Sequence, residues 1–171
     1  MDWAFIGCAC FVAAAFVTDI KAMKIPNKIT IPAMLSGLLF QGIYGGWAGL
    51  LFSLKGLGIA FGILLVMHWI GAVGAGDVKL FGGIGAWMGT LFSVQSIIYS
   101  VLFAGIIGIL IVLWRRETFS RLKNVVRGIT GTVIFRDVQY FKQISSKSLR
   151  FPFMLAVLPG FVVAYVYSLP Y

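Results

Sequence analysis

Acidic residues are scarce in this chain: five Asp and Glu among 171 residues, beside a single histidine and two cysteines. That scarcity excludes several chemistries. Cys8 and Cys10 stand as C-x-C inside the first apolar run, where helical spacing points them in different directions. Four thiolates are not available for a zinc site, and the spacing opposes a disulfide between the two. Both read as small apolar residues without a redox role. The signatures H-E-x-x-H, G-x-S-x-G and the P-loop are all missing. No metal and no cofactor is expected. Charge of either sign is also thin, at 11% of residues, where soluble domains carry roughly 25%.

What the chain has in quantity is apolar residues, 60% of the total, with a mean hydropathy of +0.99. This predicts an all-α polytopic membrane protein, folded as one membrane domain over 1–171. Six transmembrane helices are expected, over about 3–18, 29–44, 50–73, 77–92, 94–114 and 151–169. The first run has no basic region ahead of it and reads as a span, not a removed signal. It is short of the ~20 residues a span needs, which predicts that its helix, nominally ended by Thr18-Asp19, continues into the Asp19 region. Gly45-Gly46-Trp47 reads as a turn between spans two and three, with an interfacial aromatic. Gly58 and Gly62 form a small-xxx-small pair suited to close helix packing, and Gly82, Gly83, Gly85, Ala86 and Gly89 form a smooth face on span four. Pro152 and Pro159 predict a bent last span.

The net charge is +9, but the basic residues lie in short loops between spans. Nucleic acid is therefore a poor partner, and membrane orientation explains the charge better. With six spans, thirteen of the fourteen Lys and Arg fall on one side, Lys55 being the exception. That side is expected to be cytoplasmic, with both termini opposite. The long polar segment 115–150 repeats apolar residues at helical spacing (Phe119, Leu122, Val125, Val126, Ile129, Val133) between Arg121, Lys123 and Arg127. It reads as a basic amphipathic cytoplasmic helix between spans five and six, lying on an anionic inner leaflet.

Two of the few acidic residues, Asp19 and Asp77, abut predicted spans on that same cytoplasmic side, 58 positions apart. An ionisable group beside a span is a functional candidate by default. The plainer reading of Asp77 is a helix N-cap following Gly74-Ala75-Gly76, and taken alone it is the better one. Pro26-Asn27 has a similarly plain reading: Pro26 disfavours helix at Ile25, and Asn27 caps the next helix. His68, a lone histidine near the end of span three, reads as satisfying a hydrogen bond within the bundle. If Asp19 and Asp77 share one partly dry site, they share a proton, so that one carboxylate serves as base and the other as acid. Such a pair activates water against a peptide carbonyl without a metal. Sequence order alone does not bring the two together.

Asp19-Ile20-Lys21, Ile25-Pro26-Asn27 and Gly74-Ala75-Gly76-Asp77-Val78-Lys79-Leu80, followed by Gly85-Ala86-Trp87-Met88-Gly89 and Arg150-Phe151-Pro152-Phe153, together resemble the type IV prepilin peptidases. These are membrane aspartyl peptidases of the GxGD class. The resemblance covers most of the chain, in order. It implies that Asp19 and Asp77 are the catalytic pair, that Gly74 and Gly76 shape the active-site turn, and that Pro26, Asn27 and Lys79 belong to the motif. It implies an endopeptidase of the inner membrane, with its active site facing the cytoplasm. Its substrate would be the leader of a prepilin or pseudopilin precursor. Eighteen residues precede Asp19 and no C-x-x-C occurs, so the chain resembles the short, peptidase-only form of Tad-type pilus systems. Two alternatives stay open. One is another GxGD protease, of the preflagellin or signal-peptide peptidase type, against which Ile25-Pro26-Asn27 speaks in the second case. The other is a small transporter with ion-coupling aspartates, for which inverted repeats would be expected.

Overall fold

A computed structural model describes residues 2–23, 25–114 and 153–168. Every regular element among them is helical: α1 (Asp2–Ala22), α2 (Asn27–Trp69), α3 (Ala75–Trp114) and α4 (Met154–Ser168). The first three are long and apolar enough to cross a membrane. The expected cytoplasmic helix over 115–150 lies outside the described residues, as does Pro152. The chain divides into two units, Met1–Ala104 with Pro152–Tyr171, and Gly105–Phe151. The first holds the candidate site. Of the second, the described part is the end of α3.

Thr18-Asp19 does not end α1. The Thr18 hydroxyl donates back to the carbonyls of Ala14 and Ala15, at 3.2 and 2.9 Å, a side-chain bond made inside a continuing helix. The helix runs to Ala22 and places Asp19 in its last turn. Met23 then turns left-handed at φ 50°, its amide donating to the Asp19 carbonyl at 2.8 Å.

At 43 residues α2 would measure about 65 Å if straight, twice a bilayer's hydrocarbon core. It is broken instead at Gly46, whose φ of 57° and ψ of −143° suit glycine and few other residues. The chain doubles back there, since a Cβ on Gly49 would strike the carbonyl of Gln41. The turn expected around Gly45-Gly46 is thus present. The helix ends at Trp69, four residues before the expected boundary. Gly71 (φ 83°) closes it with paired bonds from Gly71 N–H to the His68 carbonyl and from Ala72 N–H to the Met67 carbonyl, both 2.9 Å. In α3 the break falls at Gly89 (φ 77°), earlier than the expected boundary near residue 93.

The first arm of α3 is the centre of the packing. Val78, Leu80, Phe81, Ile84, Ala86 and Trp87 are all buried. Contact partners fix the directions of the neighbouring arms. Gly83 meets Ala33 and Ala86 meets Gly37, so the first arm of α2 runs parallel to α3. Gly85 meets Gly56, and Gly89 meets Phe52, so the second arm of α2 runs antiparallel. Trp87 ties the elements together. Its Nε1 donates to the Ala33 carbonyl at 2.9 Å, Gln41 donates to its carbonyl at 2.7 Å, and its ring fills the space left by Gly7 and Gly37. The smooth face of α3 is therefore a packing face, as its composition predicts. The expectation for Gly58 and Gly62 is wrong. Both face open space, whereas Gly56 makes the close contact and Ala60, on the same face, is fully buried. A period of four identifies a stripe of small residues but not the face that meets a neighbour, and here that face is two positions away.

α4 packs along α1 through Phe5, stacked on Tyr165 and Phe161 at centroid distances of 3.6 and 5.4 Å. Pro159 lies inside α4. In α1, Cys8 is buried and Cys10 exposed, so the two do point apart.

Candidate active site

Asp19 and Asp77 are both buried, each only 7% exposed. For a carboxylate, such burial needs hydrogen bonds to compensate lost hydration. Asp19 Oδ2 accepts from the backbone N–H of Met154 at 3.1 Å, across 135 positions of sequence. That amide belongs to the first turn of α4, where the helix leaves its N–H groups without internal partners. Asp19 thus completes the start of a helix far from it in sequence. Asp77 Oδ2 accepts from Gly74 N–H at 3.0 Å.

The plain reading of Asp77 as an N-cap needs correction. Asp77 is the third residue of α3, and Gly74 precedes the helix, with its carbonyl accepting from Asp77 N–H at 3.1 Å and Val78 N–H at 3.3 Å. The Asp77 side chain reaches backward, in the manner of the acidic member of a capping box. A side chain at Gly74 would crowd the carboxylate, because a Cβ there would lie 3.0 Å from Asp77 Oδ2. A Cβ on Gly76 would press on Ile25 Cβ at 3.1 Å. The two glycines therefore keep space on opposite sides of the turn, one for the carboxylate and one for the segment between α1 and α2.

Asn27 does not cap α2. Pro26 takes the N-cap position with φ −71° and ψ 147°, and no side chain caps the helix. Its carbonyl receives Ile29 N–H at 3.0 Å and Thr30 N–H at 3.4 Å. The Asn27 side chain is used elsewhere, as Oδ1 accepts from Lys79 Nζ at 2.8 Å. Gly76 and Lys79 are three residues apart on one helix face, so both contacts of Ile25-Pro26-Asn27 fall on the same strip of α3. Lys79 and Asn27 act as a tie between the two motifs. Lys79→Met and Asn27→Leu are each expected to cost at most about 1 kcal/mol, because the bond is exposed. The double variant should lose no more than the Lys79 variant alone, because both remove one interaction. Unfolding midpoints in detergent check this, and additive losses would show that the two residues serve separate contacts.

The elements so placed bring Asp19 and Asp77 into one neighbourhood. Asp19 stands in the last turn of α1 and Asp77 in the first turn of α3, close enough for the Asp19 carboxylate to bear on the Asp77 carboxyl. His68, at the C-terminal end of α2, bonds through Nδ1 to the Val73 carbonyl at 2.8 Å, as a bundle histidine should. Met154 was not legible as a site residue, because its contribution is a backbone amide that carries no sequence signal. Among the described residues, no three His, Cys, Asp or Glu side chains converge as a metal site would require.

The type IV leader peptidase family matches residues 6–113, a stretch that holds both aspartates and both motifs. The prepilin leader peptidase/N-methyltransferase of Bacillus subtilis (strain 168) is 30% identical over 155 residues, covering 89% of this chain and 50% of that protein. The protein of the same name from Aeromonas salmonicida (strain A449) is 30% identical over 117 residues, covering 64% and 40%. The leader peptidase HopD of Escherichia coli is 30% identical over 103 residues, covering 56% and 66%. The chain spans about half the length, or less, of the first two relatives. No solved structure matches. The chain belongs to the type IV leader peptidase family.

Proposed function

We propose that this protein is a membrane aspartic endopeptidase that removes the leader peptide from prepilin or pseudopilin precursors, with Asp19 and Asp77 as the catalytic pair. The observation that carries the reading is the convergence of these two buried carboxylates from α1 and α3 at one end of the helices. Family membership supports it, as do relatives named for prepilin leader cleavage.

Two carboxylates in one dry site hold one proton between them. The ionised member takes a proton from water as the water oxygen attacks the scissile carbonyl. The protonated member donates to the departing amide nitrogen, and the C–N bond breaks. The proton gained by the base and the one lost by the acid leave the pair ready for a second turnover. Both acid and base come from the chain itself, and nothing in this pair transfers a methyl group.

We place the pair at the cytoplasmic face of the inner membrane. The breaks at Gly46 and Gly89 support six spans, because they divide α2 and α3 into arms of bilayer length or less. With six spans, the positive-inside distribution puts the Asp19 and Asp77 end in the cytoplasm. A cut there suits a precursor with a short polar leader followed by an apolar helix. The basic segment 115–150 would then face anionic lipid of the inner leaflet.

The test is incubation of the purified protein, in liposomes, with a candidate prepilin from the same source. Mass spectrometry should find a single cut between leader and apolar helix, and the rate should be unchanged by excess chelator. An intact precursor, or cleavage that chelator stops and added zinc restores, would overturn the aspartic reading.

A further inference from the structure

His68 and Asp77 are nine positions apart and do not touch directly, yet both hold the same peptide group. His68 Nδ1 lies 2.8 Å from the carbonyl oxygen of Val73. A carbonyl only accepts, so Nδ1 carries the hydrogen. The other end of that peptide group is Gly74 N–H, which donates to Asp77 Oδ2 at 3.0 Å. Among the described residues no peptide bond is cis, so the carbonyl and the N–H of this unit point in opposite directions. The result is one continuous line of hydrogen bonds from imidazole to peptide to carboxylate.

Ile70, Gly71, Ala72, Gly74 and Ala75 are exposed, and Val73 alone is buried. The bonds that close α2 stop at Ala72. Beyond that point Val73 is held by the burial of its side chain and Gly74 by its carbonyl, which accepts from Asp77 N–H and Val78 N–H, while the tilt of the peptide between them is set by its own two hydrogen bonds. If the imidazole donor is lost, that peptide tilts more freely and the bond from Gly74 N–H to Asp77 weakens. Polarisation adds to this, since a donor on the carbonyl strengthens the N–H at the other end as a donor.

We propose that His68 is a positioning residue for the catalytic reaction, aiming Gly74 N–H at Asp77 through the Val73–Gly74 peptide. This rests on the assignment of Asp77 as a catalytic carboxylate. Its chemistry predicts which substitutions are tolerated. An asparagine amide nitrogen occupies nearly the place of Nδ1, while a glutamine amide nitrogen reaches the place of Nε2. His68→Asn therefore keeps the donor, and His68→Gln keeps polarity and bulk but not the donor.

The experiment compares prepilin cleavage by wild type, His68→Asn, His68→Gln and His68→Phe, with kcat and KM measured separately in detergent. His68→Gln and His68→Phe are expected to lower kcat roughly three- to tenfold, the worth of one hydrogen bond, with KM within about twofold. His68→Asn should stay within about twofold of wild type in both. Equal kcat for the Asn and Gln variants, whether both high or both low, would overturn the proposal, even if the Phe variant fails to fold. A loss confined to KM would overturn it too. Wild-type protein that does not cleave would instead remove the proposed function on which the inference stands.

Discussion

Asparagine at position 19 or at position 77 is expected to reduce cleavage on the order of a thousandfold or more, as single changes in a catalytic unit typically do. Each substitution keeps the size of the side chain and an oxygen able to accept the backbone bond it now receives, from Met154 in one case and Gly74 in the other. What it removes is the ability to take or hold the shared proton. Neither remaining carboxylate then supplies both the base that deprotonates water and the acid that protonates the leaving nitrogen. Folding should survive, because a buried ionisable group is replaced by a neutral one. Asp2→Asn and Asp137→Asn, which change net charge equally, should cleave at the wild-type rate. The readout is initial velocity on purified prepilin, with membrane expression level as the folding control. Near-normal velocity in either active-site variant would return these aspartates to a capping role.

Gly85→Ala should strongly destabilise the protein. A Cβ on Gly85 would strike the carbonyl oxygen of Gly56 and lie 2.5 Å from its carbonyl carbon and 2.9 Å from Leu57 N. A Cβ on Gly56 would in turn meet Gly85 O and, at 2.8 Å, Gly89 Cα. These neighbours are backbone, so no rotamer change relieves the clash and the second arm of α2 must move away from α3. Overpacking of this kind costs typically 1–3 kcal/mol and occasionally more, and the backbone contact places this case at about 3 kcal/mol or above. The buried bond from Ser53 Oγ to the Ala86 carbonyl, at 2.6 Å, lies in the same seam and would be lost with it. Gly58→Ala and Gly62→Ala provide the contrast, since nothing lies within 4 Å of a Cβ at either position. Both should be neutral or slightly stabilising, because alanine favours helix by up to about 1 kcal/mol over glycine. Detergent unfolding curves decide between them. A Gly85→Ala protein as stable as wild type, or a Gly58→Ala protein as damaged as Gly85→Ala, would contradict the packing described for α2 and α3.

The candidate pair was legible in the sequence because the chain is so poor in acid. Asp19 and Asp77 stand out when so few carboxylates exist and the others lie in polar or terminal surroundings. The turn at Gly46 was legible for a different reason, as Gly45-Gly46 interrupts two apolar runs that each suit one crossing, whereas the break at Gly89 was not, because that glycine read as part of a packing face. What sequence could not supply was the partner of each polar group. Asn27 looks like a cap because capping is what asparagine does locally, yet its oxygen is taken by Lys79, 52 positions on. Asp77 likewise looks like the cap itself, and acts from inside the helix instead. Gly58 and Gly62 obey the right period on the wrong face, because periodicity says how residues group and not what they meet. The amide of Met154 illustrates the limit best, since the group that binds Asp19 is present in every residue but proline.

The central claim is that Asp19 and Asp77 work as one unit, and a double-variant comparison tests it most directly. Single-turnover cleavage of purified prepilin would be followed for wild type, Asp19→Asn, Asp77→Asn and Asp19→Asn/Asp77→Asn under the same conditions. A shared proton predicts that the three variants are equally inactive, the second substitution adding nothing to the first. Losses that multiply in the double variant, or substantial cleavage by either single one, would mean that the two carboxylates act independently and that the pair is not the catalytic centre.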